Sequence, residues 1–276
     1  MATNGDVMGA IEVVRVAEWA QYEWLRHGFS TRAGGLSTVY SPGDLNLGFT
    51  KDDDPEPVAG NRERLVRAVA GEGAVELVTL RQVHGTFVRA VGAGEEGLRT
   101  DDGRAVVEAD GLMTADAGVM LGIQVADCVP VLVADTRQRV VAGFHAGWRG
   151  TAAGIVALGV GKMMEEFGCA AEDMVGAVGP SIGGCCYTVG EEVRAAFAAR
   201  FGYAGDLFSE GLRLILWEAN RRQLAGAGVR ADRVTVVGEC TACARVDGRR
   251  KYFSHRAEKR FTGRAMGMIG VIDGVL

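Results

Sequence analysis

A single-domain mixed α/β (α+β) fold is what this chain predicts, and three observations carry the prediction. Short apolar runs of strand length fill the middle of the sequence, longer segments with helical spacing follow, and no repeat, long linker or low-complexity stretch divides the whole. The 276 residues suffice for a substantial core. A composition that is 48% hydrophobic and 24% charged excludes the disordered and membrane-embedded classes. The 41 glycines lack a Gly-X-Y period, so they imply many tight turns and close backbone approaches.

Taken in order, residues 1–10 show no basic segment followed by an apolar core; they read as a flexible N-terminus before a domain over 11–276, with a cytoplasmic location expected. Segments 30–37 and 44–48 read as loops on composition. The apolar run 75–80 predicts a strand and 87–91 its successor, with His84 in the bend between them. Residues 92–102, rich in glycine and acid, form an exposed connection. Three strands follow at 118–125, 129–134 and 140–144, the last two joined by the polar turn 135–139. The most apolar stretch, 119–126, is far short of the roughly 20 residues that span a bilayer, so no membrane anchor is expected. Helical spacing predicts a helix over 151–167, with Thr151 as N-cap and Gly168 as stop. A strand at 174–178, helices at 191–201 and 212–225, and a strand at 234–237 complete the series.

The chemistry concentrates at His84, Cys128 and His145. Each stands beside a bend that follows an apolar run, and loops held by strands are where functional side chains gather. A hairpin with strands of similar length brings its open ends together, so Cys128 and His145 are expected close in space although 17 positions apart. Two imidazoles and a thiol suit one metal, and three protein ligands leave a fourth position open, as in catalytic zinc. The alternative reading is that the histidines are satisfied core residues.

Other groups are open to bland readings. Cys185-Cys186 and Cys240-Thr-Ala-Cys243 read as buried packing, since a single C-x-x-C is weak evidence for structural zinc. With no secretory signal, the six cysteines read as reduced thiols rather than a disulfide framework. The glycine-rich 179–184 segment matches neither nucleotide-binding pattern and reads as a turn. The net charge of -5 argues against nucleic-acid binding. Against that balance, residues 245–264 carry eight basic side chains and two acidic ones, either a solvated face or part of an anion site.

Ten motifs, in order, resemble the YfiH family, also called the laccase-like or polyphenol oxidase family. They are Thr-Arg-Ala-Gly-Gly-Leu-Ser at 31–37, Leu-Asn-Leu-Gly at 45–48, Asn-Arg at 61–62, Gln-Val-His-Gly at 82–85, Ala-Asp-Gly at 109–111, Ala-Asp-Cys-Val-Pro at 126–130, His-Ala-Gly-Trp-Arg-Gly at 145–150, Gly-Pro-Ser-Ile at 179–182, Cys-Thr at 240–241 and Phe-Ser-His-Arg at 253–256. The resemblance implies a sandwich of mixed β-sheets flanked by helices. It also implies zinc on His84, Cys128 and His145, and phosphorolysis of adenosine, inosine, guanosine and methylthioadenosine to base and ribose 1-phosphate. Adenosine deamination and a role in correcting peptidoglycan precursors are further implications.

For phosphorolysis, Arg32, Arg62 and Arg149 are the candidates to hold phosphate, Asn46 to bond ribose or phosphate, and Gln82 and Trp148 to line the pocket, with packing an equal role for Trp148. Deamination needs a carboxylate that is not a ligand; Asp110 and Glu108 are the candidates, while Asp127 in an extended chain would point away from the metal. Three rivals stand beside this reading. A His₂Cys set also suits a copper-dependent polyphenol oxidase, although only His27 and His255 remain to bind further coppers. Cys128 with a histidine base could act without metal, for instance as a hydrolase on a peptidoglycan precursor. A binding protein that merely retains a metal is the third. Monomer and homodimer both remain open.

Overall fold

The computed structural model describes residues 9–201 and 204–272. Residues 1–8 of the expected flexible N-terminus lie outside the described residues. The first half of the chain runs β1 (Val13–Val14), β2 (Leu25–Ser30), β3 (Ala33–Ser37), α1 (Pro55–Ala70), β4 (Glu76–Thr79), β5 (Val88–Ala90), β6 (Gly111–Thr114), β7 (Val119–Val125), β8 (Val129–Asp135) and β9 (Val140–Ala146). The second runs α2 (Trp148–Ala153), α3 (Ile155–Phe167), β10 (Met174–Val178), α4 (Glu191–Arg200), β11 (Phe208–Ser209), β12 (Arg213–Leu214), α5 (Leu216–Gly226), β13 (Val234–Val236), β14 (Arg245–Val246), β15 (Arg249–Arg250) and β16 (Ala265–Val271).

Two mixed sheets result. One has five strands in the order β1-β2-β16-β7-β4, with β4 and β7 parallel and the other pairs antiparallel. The other has six in the order β13-β10-β8-β9-β6-β5, parallel only at its two edges. Strand alternation sends successive side chains to opposite faces, so a strand buried on both sides is apolar at every position. In β8, Val129, Val131 and Val133 pack outward with Ile155 and Val160 of α3 and Leu224 of α5, while Leu132 and Ala134 face the other sheet with Phe29, Leu121 and Ile269. On the far side, Met120, Met266 and Met268 pack with Leu65 and Val69 of α1. The layers are therefore helix, sheet, sheet, helix, the sandwich that the resemblance implies.

Close packing rests on particular small residues. A Cβ on Gly159 would lie 2.3 Å from the Phe144 ring, so α3 reaches β9 only because that position is glycine. Phe144 is fully buried, a contribution of about 1.5–3 kcal/mol.

Four local expectations need correction. The helix predicted over 151–167 is two helices: α2 starts earlier, capped by Gly147, and Gly154 at φ 89 breaks it before α3. Thr151 is thus no N-cap; it lies inside α2, and its hydroxyl donates back to the carbonyl of Ala146 at the end of β9. The helix expected from 212 starts at Leu216, because Arg213 and Leu214 pair with β11. Segment 30–37 is largely strand, bridged to Asp44, and not loop. Several elements went unpredicted: α1, the strands β1, β2, β6 and β16, and the short strands β11, β14 and β15. The sequence did announce α1, through Asp54 followed by prolines in the first turn, a combination that suits a helix start.

Candidate active site

The site forms where the chain crosses from one sheet to the other. β4 and β7 are parallel neighbours, so both leave the five-stranded sheet at the same end. The segment after β4 crosses to β5 and carries His84; the segment after β7 crosses to β8 and carries Cys128. Pairing of Pro130 with His145 in the β8–β9 hairpin then brings the third residue alongside, as the hairpin argument expects. His145 itself is the penultimate residue of β9, one strand position deeper than expected.

The donor atoms of His84, Cys128 and His145 all lie within 4.8 Å of one another. His84 Nε2 is 3.9 Å from Cys128 Sγ, and the two imidazoles meet at 75° with centroids 4.8 Å apart. Both crossovers are bent: His84 has φ 62 and Asp127 has φ 89. Such backbone costs on the order of 1–3 kcal/mol for a residue other than glycine, and it persists only where its surroundings hold it.

Asp110 does much of that holding. It is fully buried, and pairing of Gly111 with Phe144 sets it beside His145. Its carboxylate accepts the amides of Val83, His84 and Gly85 at 3.2, 2.9 and 2.6 Å and lies 2.8 Å from His145 Nδ1. With the Nδ1 proton committed to Asp110, Nε2 of neutral His145 is the lone-pair donor left for a metal, the usual carboxylate–histidine arrangement of a metal site. Burial pushes the Asp110 carboxyl up, but His145 and the loop amides outweigh it and leave it below its ordinary value. A Cβ on Gly147 would stand 3.0 Å from both Cys128 Sγ and His84 Cδ2, so the glycine keeps the ligands' approach clear.

The donor set fits zinc: three soft or borderline ligands, one oriented from behind, with one side facing a cavity. It also forms a charge pair without metal. Burial opposes ionisation of Cys128, yet His145 and His84 bring its thiol down to about 6. For His145, burial would lower the imidazole, yet Cys128 and Asp110 raise it to about 9.

The cavity measures 440 Å³ and is lined by the three ligand residues with Leu80, Gln82, Gln124, Val125, Ala126, Asp127, Tyr187, His255, Arg256 and Arg264. Asp127 is the wall's keystone. Its Oδ1 accepts the hydroxyls of Thr241 and Ser254, both at 2.7 Å, and its Oδ2 accepts the Arg256 amide at 2.6 Å. The side chain does turn to partners other than the ligands, although the backbone at φ 89 is not the extended chain first assumed. Burial and the Cys128 charge push the Tyr187 phenol up to about 12, and burial with Arg264 holds His255 below its ordinary value.

The other sequence candidates divide. Gln82 lines the cavity, but its amide is spent on the backbone of Gln124, donating at 2.7 Å and accepting at 2.8 Å. Arg149 is exposed and stacks on Trp148, whose own ring packs on the core. Arg32 is buried in a two-pronged pair with Asp44 at 2.9 and 2.8 Å and bonds Glu258. Asn46 is fully buried, bonding Gly48, Asp53 and the Arg264 amide. Arg62 stacks on Phe49 and bonds the Leu47 carbonyl, in a separate cleft of 1210 Å³ beside α1. Arg32, Asn46 and Arg62 thus line no part of the 440 Å³ cavity; their hydrogen bonds hold the fold around it. Asp110 is no free acid, because its oxygens are occupied, and Glu108 pairs with Arg81 outside the cavity. Sequence reasoning did not single out Tyr187. It follows the Cys185-Cys186 pair in a stretch whose polarity gives no sign of a cavity lining.

Among the described residues, the groups able to hold a metal are this one and a set of four cysteines, so no multicopper arrangement of histidines is present there. No helix of the described residues is long and apolar enough to cross a membrane.

Comparison with known proteins fits this geometry. A purine nucleoside phosphorylase, YlmD, of Geobacillus stearothermophilus is 37% identical over 262 residues, covering 90% of this chain and 94% of its own. A purine nucleoside phosphorylase of Deinococcus radiodurans is 40% identical over 246 residues, covering 89% and 88%. The crystal structure of the hypothetical protein YfiH from Bacillus licheniformis superposes with a TM-score of 0.84 at 31% identity, over 96% of this chain and 98% of that one. The model of a family described as multi-copper polyphenol oxidoreductase laccase matches residues 26–272, and with these homologues the chain belongs to that family, the family of YfiH.

Proposed function

We propose that the protein is a purine nucleoside phosphorylase whose active site is the His84–Cys128–His145 cavity. One observation carries the reading: three donor atoms converge within 4.8 Å at a cavity whose wall carries Arg256 and Arg264. The purine nucleoside phosphorylases among its homologues support the reaction class.

Phosphorolysis breaks the bond from ribose C1′ to the purine nitrogen and forms a bond from C1′ to a phosphate oxygen. The electron pair of the broken bond stays with the base, which takes up a proton. Arg256 and Arg264 hold the phosphate. Each is steadied by donation to backbone carbonyls, Arg256 to Thr188 and Arg264 to Thr262 and Gly263, and each retains further N–H donors. Tyr187 keeps its proton at neutral pH, so it serves as a neutral donor to the leaving purine. Asp110 keeps His145 in one tautomer and fixes the His84 loop. Zinc on His84, Cys128 and His145 would supply Lewis acidity at an open fourth position, with copper as the alternative occupant.

Adenosine deamination has less support. Among the described residues the one carboxylate lining the cavity is Asp127, and its oxygens are taken by Thr241, Ser254 and Arg256. The test is incubation with inosine or adenosine, with and without phosphate, using Cys128→Ala as control. Phosphate-dependent release of base and ribose 1-phosphate, lost on chelation and regained with zinc, is expected. Activity that survives complete metal removal would instead favour Cys128 as a metal-free nucleophile. No product above the Cys128→Ala background would end the nucleoside reading.

A further inference from the structure

Apart from buried Cys169, four cysteines lie outside the proposed active site: Cys185 and Cys186 on the loop after β10, and Cys240 and Cys243 on the loop after β13. β10 and β13 are parallel neighbours at the sheet edge, so both loops leave at the same end. They remain in register beyond the strands: Ser181 bridges Cys240, the Ser181 amide donates to the Glu239 carbonyl at 3.2 Å, and the Thr241 amide to the Ser181 carbonyl at 3.0 Å. All four sulfur atoms lie within 4.8 Å of one another, and none is in a disulfide.

We propose that Cys185, Cys186, Cys240 and Cys243 bind one zinc ion as a closed four-thiolate site, separate from the His84–Cys128–His145 centre.

The spacing favours a metal over a disulfide. A tetrahedral ion with zinc–sulfur bonds of about 2.3 Å holds its sulfurs about 3.8 Å apart, whereas a disulfide needs about 2.05 Å. Cys185 Sγ and Cys243 Sγ are 3.7 Å apart. Second, Cys240 is arranged as a thiolate would be: the Gly183 amide points at its sulfur at 3.3 Å, and the Ala242 and Cys243 amides converge on it from within the C-x-x-C turn. Backbone N–H groups gathered on one sulfur stabilise the negative charge that coordination leaves there. Third, four thiolates on a divalent ion carry net negative charge, and the Arg250 guanidinium bonds the Ala242 carbonyl inside the turn. Part of the basic run thus has a local purpose. Fourth, Cys185 and Cys243 are exposed, so an ion reaches the set from solvent without an opening of the fold.

The consequence reaches the cavity. The loop after β10 also carries Tyr187, and the loop after β13 carries Thr241, whose hydroxyl bonds Asp127 at 2.7 Å. An ion joining these loops fixes the wall of the active site by structure alone. On binding, protons held by the thiols leave to solvent, and no redox step is involved.

The experiment is metal analysis and cobalt substitution on the full chain under reducing, anaerobic conditions. Cys128→Ala, which disables the other centre, is expected to keep one zinc per chain, and Cys128→Ala/Cys240→Ser/Cys243→Ser to keep none. Cobalt(II) added to the metal-free Cys128→Ala protein is expected to give intense sulfur-to-cobalt charge-transfer absorption and the ligand-field bands of a tetrahedral ion. Should the triple variant fail to fold, thiol titration of the Cys128→Ala protein replaces it. Zinc is then expected to shield four thiols from a disulfide reagent. Absence of zinc from Cys128→Ala, a cobalt spectrum without thiolate bands, one iron in place of zinc, or a Cys185–Cys243 disulfide in the isolated protein would each overturn the assignment.

Discussion

The two ligand groups solve the same problem by opposite means. His84, Cys128 and His145 come from two sheet crossovers and one strand end, and Asp110 orients them from behind through His145 Nδ1 and three loop amides. The four cysteines come from two adjoining loops, and at least Cys240 draws its orienting amides from those same loops. One set faces a 440 Å³ cavity and the other faces itself. The difference shows what an open site costs. A centre that leaves room for substrate has one ligand fewer, so it relies on a buried carboxylate and two bent backbone positions to hold the rest in place.

The largest effect that would sharpen this contrast is on turnover. Cys128→Ala is expected to lower phosphorolysis by at least about 10²-fold, the scale on which loss of one charge-stabilising group is felt. Steady-state rates with inosine and phosphate measure it, and activity within a few-fold of wild type would place the chemistry elsewhere. Metal analysis of the same sample separates the centres, because the four-cysteine zinc is expected to remain.

Protons come next. Thiols ordinarily titrate near 8.5, so at pH 7 the four-cysteine set releases up to about four protons on binding zinc, whereas the His₂Cys set releases about one, from its thiol or from the imidazolium paired with it. Zinc affinity therefore falls with falling pH at both sites, and more steeply at the closed one by up to about three decades per pH unit. Calorimetry at pH 7 in buffers of different ionisation enthalpy counts the protons. Equal counts for Cys128→Ala and for Cys240→Ser/Cys243→Ser would abolish the distinction.

Asp110→Asn tests the support from behind. An amide cannot both accept the loop amides and hold the imidazole in the same way, and loss of such a partner costs about 10–100-fold in metal affinity or activity. Zinc affinity at the open site is expected to fall by that factor while the four-cysteine site is untouched. If both sites weaken together, Asp110 serves the fold as a whole instead.

How much of this was legible in the sequence follows the range of the contacts. Cys128 and His145 sit at the two ends of one hairpin, so local strand lengths sufficed to bring them together. His84 belongs to a crossover from the other sheet, and hydrophobic period says nothing of which sheet a strand joins; family resemblance supplied it. Arg32, Asn46 and Arg62 stand in motifs that look functional, yet their partners Asp44, Asp53 and Leu47 lie 7 to 15 residues away and make them structural. Asp110 was a candidate acid because it is a carboxylate near the right place. Its true role depends on four partners at 25 to 35 residues' distance, which no spacing rule reveals. The cysteines read as packing because the two pairs are far apart in the chain, Cys185 and Cys243 by 58 residues, and only the parallel β10–β13 pair joins them.

His27 offers the smallest and last test, a histidine that ligates nothing. It is 6% exposed on β2, its Nε2 accepts the Val16 amide at 2.9 Å, and its ring lies 4.6 Å from that of Trp19. Burial, with the nearby Arg15 charge, lowers it from 6.5 to about 4. Because the folded value lies below the unfolded one, the unfolded chain takes up the proton first on acidification. The stability is complete above pH 6.5, declines as pH falls from 6.5 to 4, and falls no further below 4. Between pH 7 and pH 5 the loss is about 2 kcal/mol. Unfolding free energies from urea titrations at these two pH values are expected to differ less in His27→Gln than in wild type by that amount. The contrast with His145 is then one of sign. Burial dominates where His27 has only an amide to accept, and it is overridden where His145 has Asp110 on one nitrogen and Cys128 beside the other. An unchanged pH dependence in His27→Gln would mean that another buried group carries the acid sensitivity, and that burial alone does not distinguish a structural histidine from a ligand.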